Sequence, residues 1–76
     1  MTITTPRYER PHKRDIAPRE REVLRLVATG LRNKEIADRM GISPRTVENY
    51  VANACIWLGA RNRLDAAIRA GIVRIA

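Results

Sequence analysis

Phenylalanine is absent from this chain of 76 residues, and the other aromatics are few: one Trp and two Tyr. The core must therefore be built from Leu, Ile, Val and Ala, which suits short, closely packed helices. Cysteine occurs once, at Cys55, which excludes an intrachain disulfide and a Cys-rich zinc site. Histidine also occurs once, at His12, with no Cys, Asp or Glu cluster at ligand spacing, so the sequence offers no metal site. No apolar run is long enough to span a membrane. The opening MTITTPRYER lacks the apolar segment of a secretory signal, and a cytoplasmic protein is the expectation. Neither a nucleophile–base pair nor a phosphate-cradling glycine loop is present, so the reading is a non-enzyme without cofactor.

Acidic residues are scarce too. Fifteen Lys and Arg stand against eight Asp and Glu, a formal charge of +7. That balance favours a polyanionic partner, nucleic acid first. A domain of this size buries a modest fraction of its surface, so a partner or a second copy would help to stabilise it.

Two regions divide the chain. Residues 1–15 hold Pro6, Pro11, Arg7, Arg10, Lys13 and Arg14 without a hydrophobic period, and read as a flexible basic tail. It serves either as an arm that touches phosphates or as a solvated extension, with Tyr8 as its only anchor to the core. Residues 16–76 read as one all-α domain of four helices.

The spacing predicts a first helix over 18–29, opened by Pro18, with Val23, Leu24, Leu26 and Val27 inward and Gly30 as its stop. Ala17 is a poor cap; Asp15 stands near enough to replace it, and this end is expected to fray. A second helix is predicted over 34–40, capped by Asn33, with Ile36, Ala37 and Met40 on one face. Gly41 supplies a sharp turn and Ile42 drops into the core. The third helix is capped by Ser43, begins at Pro44 and ends at Gly59. Its Val47, Val51, Ala54 and Leu58 make a narrow buried stripe. A fourth, capped by Asn62, is predicted over 63–70 with room to continue to 75. Its stripe is Leu64, Ala67, Ile68, Gly71 and Ile72. Ala66, Ala70 and Val73 are apolar surplus that suggests a second protein surface.

Residues 33–53, NKEIADRMGISPRTVENYVAN, place a short amphipathic segment, a glycine turn and a capped helix in succession. That is the sequence form of a helix-turn-helix. Opposite the buried stripe of the third helix stand Arg45, Asn49, Ala52 and Ile56, flanked by Glu48, Asn53 and Thr46, and of these Arg45, Glu48, Asn49, Ala52 and Asn53 are placed to reach base edges. Arg pairs with guanine, Asn with adenine, and Glu accepts from the cytosine amino group, so these five are the candidate base readers. Phosphate contacts are assigned to Arg32, Asn33 and Lys34 at the start of the second helix, to Thr46 and Tyr50, and to Arg61 and Arg63.

The segments PREREVLRLVATGLRNKEIADRMGISPRTVENYV and LGARNRLDAAIRAGIV resemble the LuxR/GerE-type helix-turn-helix domain of bacterial transcription regulators. PREREVL, GLRNKEIA, GIS-x-x-TV and LGARNR occur in order, and the resemblance covers roughly residues 16–73. It implies four helices, the second and third reading double-stranded DNA, and homodimers paired through the fourth on a two-fold site. It implies base contact by Glu48, Asn49 and Ala52, and backbone contact by Lys34, Thr46 and Tyr50. Full-length relatives often carry a sensor domain in front. Here the expectation is a stand-alone regulator, nucleoid-associated when bound, with a fragment as the alternative.

Five positions depart from the family pattern. Glu48 stands where a base-facing cation is common, and Ala17 and Arg32 stand where capping hydroxyls are usual. Ile56 and Trp57 replace polar or basic residues, either as a docking patch for another protein or the tail, or as side chains lying flat over a small core. A sigma-factor region 4 domain shares the E-x-E-V-L-x-L and EIA elements but fits LGARNRLDAA less well. The rival function is a protein-interaction module that binds RNA polymerase or another regulator through Ile56, Trp57 and the fourth helix.

Overall fold

Four helices follow one another in the computed structural model, which describes residues 16–73: α1 Pro18–Ala28, α2 Asn33–Met40, α3 Pro44–Leu58 and α4 Arg63–Arg69. The stretch read as a basic tail lies outside the described residues, as do residues 74–76, the end of the longer fourth helix allowed above.

Each helix begins where a side chain can satisfy an open backbone N–H. In α3, Ser43 Oγ accepts from the Thr46 amide at 3.0 Å, as the sequence predicts. Asn62 Oδ1 does the same for the Asp65 amide at 2.8 Å at the start of α4. The other two starts are capped from inside the helix. The Ala17 amide donates to Glu20 at 3.1 Å, and the Arg32 amide donates to Glu35 at 2.8 Å. A glutamate three residues in thus supplies the cap that Ala17 and Arg32 lack. This shifts the start of α2 by one residue: Arg32 is the cap and Asn33 is already helical.

The turns after α2 and α3 need a left-handed residue, which Gly41 (φ 69°) and Gly59 (φ 65°) supply. The next residue folds back in each case. Ile42 donates to the Ala37 carbonyl at 3.0 Å and Ala60 to the Cys55 carbonyl at 2.9 Å. Ile42 is thereby drawn into contact with the core between α2 and α3.

The interior consists of two clusters. The first joins Val23, Ile36, Ala37, Val47 and Val51 from α1, α2 and α3. The second joins Ile16, Leu24, Ala54 and Ala66, with α4 in place of α2. Helices α1 and α3 belong to both, whereas α2 and α4 make no contact with each other.

Helix α4 departs most from its predicted stripe. Ala66 and Ala67 are fully buried, whereas Leu64 is 55% exposed. Ala66 is therefore corrected from a candidate interface residue to a core residue. The reason is the packing of α4 against both α1 and α3, which buries the Ala66 methyl completely. The helix also stops at Arg69, and Ile72 folds back to donate to the Ala67 carbonyl at 2.9 Å.

Two arginines of α1 tie the flanking helices down. Arg19 donates to the Met40 carbonyl at the end of α2 (3.4 Å), and Arg21 donates to the Ala70 carbonyl just past α4 (3.2 Å). A cation at a helix C-terminus also complements the helix dipole.

Candidate nucleic-acid interface

The face of α3 opposite its core stripe is built from side chains of one chemistry at its start and another at its end. Val47, Val51 and Ala54 are buried; Arg45, Glu48, Asn49, Ala52 and Ile56 are exposed. At about 100° per residue, Arg45, Asn49, Ala52 and Ile56 fall within an arc of about 60°. Asn53 sits at the edge of that arc and is half-buried. The first three turns thus offer a guanidinium, a carboxylate and a carboxamide. That set matches the donors and acceptors on base edges in a major groove.

The residues assigned to phosphates stand at the start of α2, in the first turns of α3 and at the start of α4. Arg32 and Lys34 are exposed at the start of α2, beside first-turn amides that an α-helix leaves without internal partners. Glu35 occupies the Arg32 amide, so a negative charge stands at the same helix start. Asn33 is half-buried, and its Oδ1 is buried without a hydrogen-bond partner among the described residues. Thr46 shares a 2.9 Å hydrogen bond with the Ser43 hydroxyl, which fixes its side chain at the α3 start. Tyr50 is half-buried against the first cluster, so its ring braces the domain.

The two arginines near the start of α4 differ. Arg61 is 83% exposed and reaches Asp65 at 3.6 Å, while Arg63 is half-buried. Asp65 accepts from the Arg61 amide (2.9 Å) and from Arg69 Nε (3.0 Å). Those two hydrogen bonds, the backbone one first, hold its carboxyl below the usual carboxylate range. Arg61 therefore shares its charge with Asp65. Sequence spacing alone indicates this cluster, since Arg61, Asp65 and Arg69 are four apart.

Of the apolar candidates, Ile56 is 76% exposed. Trp57 is half-buried and packs against the second cluster, matching the reading in which it lies over the core. Ala70 and Val73 are half-buried, and Ala70 also packs on that cluster. Burial, chiefly, pushes the Cys55 thiol up, with Asp65 adding to the shift, so it remains protonated at neutral pH. Arg19 and Arg21 have structural roles that sequence reasoning missed, because the carbonyls they reach lie 21 and 49 residues away. Among the described residues, no helix is long and apolar enough to cross a membrane, and no group of three or more His, Cys, Asp and Glu could hold a metal.

Residues 15–70 match the bacterial regulatory proteins of the luxR family. An HTH-type transcriptional regulator of Mycobacterium bovis is 44% identical over 59 residues, which cover 74% of this chain and 7% of that protein. The DNA-binding transcriptional activator DevR/DosR of Mycobacterium tuberculosis is 44% identical over 53 residues, 70% of this chain and 24% of its own. Response regulator Rre1 of Synechocystis is 45% identical over 62 residues, 82% of this chain and 26% of its own. The chain thus spans at most 26% of the length of these relatives. With its four helices, its glycine turn between α2 and α3 and this match across most of its length, the chain belongs to the luxR family of bacterial regulatory proteins.

Proposed function

We propose that this chain binds double-stranded DNA in a sequence-dependent way and regulates transcription, with α3 in the major groove. The observation that carries the reading is the division of α3: Val47, Val51 and Ala54 are buried, whereas Arg45, Glu48, Asn49 and Ala52 are exposed on the other side. A helix held from behind by a core, with its polar side open and its start at the surface, is the recognition element of a helix-turn-helix.

The roles divide by chemistry. Arg45, Asn49, Glu48 and Ala52 read bases, with Asn53 at the margin. Arg32, Lys34, Thr46, Tyr50, Arg61 and Arg63 hold phosphates, and Asn33 joins them through its first-turn amide. Helix α3 itself carries one Arg and one Glu, so affinity comes from the surrounding cations and discrimination from α3. Two copies pair through α4, using exposed Leu64 with Ala70 and Val73, since Ala66 is taken up by the core. Pairing through α4 leaves α2, on the opposite flank, clear for DNA.

Binding to random duplex at increasing salt tests this reading. The logarithm of the association constant should fall linearly with the logarithm of salt concentration, with a slope of about −0.9 for each phosphate neutralised. A chain with no duplex affinity at low salt, or with a flat salt response, removes the proposal.

A further inference from the structure

The reading face of α3 does not end at Ala52. The helix continues unbroken to Leu58, and Ile56 is 76% exposed on the same side as Asn49. A large aliphatic side chain kept in water without need is a cost, and Ile56 covers no core cluster. From Arg45 to Ile56 the stripe runs guanidinium, carboxamide, methyl, branched alkyl, so it turns from polar to apolar along its length. Of the four bases, only thymine presents an apolar group in the major groove, its C5-methyl.

The geometry points to Ile56 as a specificity-determining residue that reads a thymine methyl, with Ala52 leading the apolar side toward it. This rests on the DNA-binding reading above and adds a base preference to it. Ile56 lies seven residues beyond Asn49, about 10 Å along the axis at 1.5 Å per residue. With base pairs about 3.4 Å apart, its thymine falls about three base pairs from the base read by Asn49. A recognition helix laid along the major groove can contact bases from positions seven residues apart.

The test begins with selection of bound duplexes from a random pool by the 76-residue chain and by its Ile56→Asn variant. Each selected thymine is then replaced by uracil, which keeps every hydrogen-bonding group and lacks only the methyl. The wild type should enrich thymine about three base pairs from the Asn49 position, and uracil there should weaken binding about fourfold, the worth of one buried methyl. Ile56→Asn should lose both the preference and the uracil effect, keep the preference at the Asn49 position, and fold normally, since the site is exposed.

An unchanged uracil effect in Ile56→Asn assigns the methyl contact elsewhere and overturns the inference. So does the absence of any uracil effect while the Asn49 position stays selected; there the DNA reading survives alone. Loss of self-association in Ile56→Asn, with base selection intact, makes Ile56 a protein contact and also overturns it. Failure to enrich any sequence removes the DNA reading, and this inference with it.

Discussion

The two core clusters are filled by opposite means. The α2 side uses four branched side chains, Val23, Ile36, Val47 and Val51, beside Ala37, while the α4 side uses Leu24 and Ile16 with Ala54 and Ala66 at the helix contacts. Stiff β-branched residues leave few rotamers, so they hold α2 and α3 at a fixed angle. Alanines let α4 approach closely but contribute little apolar area each. The half bearing α2 is therefore secured by side-chain volume, and the half bearing α4 by closeness.

That contrast predicts opposite sensitivities to size. Ile36→Ala leaves a void beneath α2 and should cost about 2–5 kcal/mol, read as a lower midpoint in urea with an unchanged slope. In a domain this small, that is a large part of the total stability. Ala66→Leu should fail in the other direction, costing about 1–3 kcal/mol by overpacking under α4. If Ala66→Leu is neutral, or if Ile36→Ala costs less than Ala66→Leu, the contrast is wrong.

Function sharpens it further. Asn49→Ala should cost about 1–3 kcal/mol at one base pair and little elsewhere, whereas Lys34→Ala should weaken all sequences alike and flatten the salt slope by about one phosphate. Binding of both variants to a panel of single-base variants separates the two roles. Equal losses across the panel for both would take Asn49 out of the reading set.

The smallest effect is expected in acid. The Asp65 carboxyl is held below its ordinary value of 3.8, first by the Arg61 amide and then by Arg69. A depressed carboxylate contributes stability that is present above its unfolded pKa and lost as pH falls through the folded one. Below about pH 3.8 the α4 amides should therefore lose hydrogen-exchange protection, and Asp65→Asn should remove that step. A step that persists in Asp65→Asn assigns it to another group.

The sequence discloses α3 most fully, since Ser43, Pro44 and Gly59 bound it and its apolar residues recur at one period. The groove face follows from the same period, and Asn53, about 80° from Arg45, turns out half-buried for that reason. Helix α4 is less legible. An alanine carries a weak hydrophobic signal, so whether Ala66 or Leu64 faces inward depends on how closely α1 and α3 approach. Glu20 is 3% exposed, although a glutamate in the first turn reads as surface; its task is the Ala17 amide. The α2 start was displaced by one residue because Glu35 reaches back to Arg32, a choice that Asn33 obscures.

Because α2 and α4 make no contact with each other, and each is tied separately to α1 by Arg19 or Arg21, the molecule is built as two flanks on a common spine. A substitution confined to one flank can thus leave the packing of the other as it was.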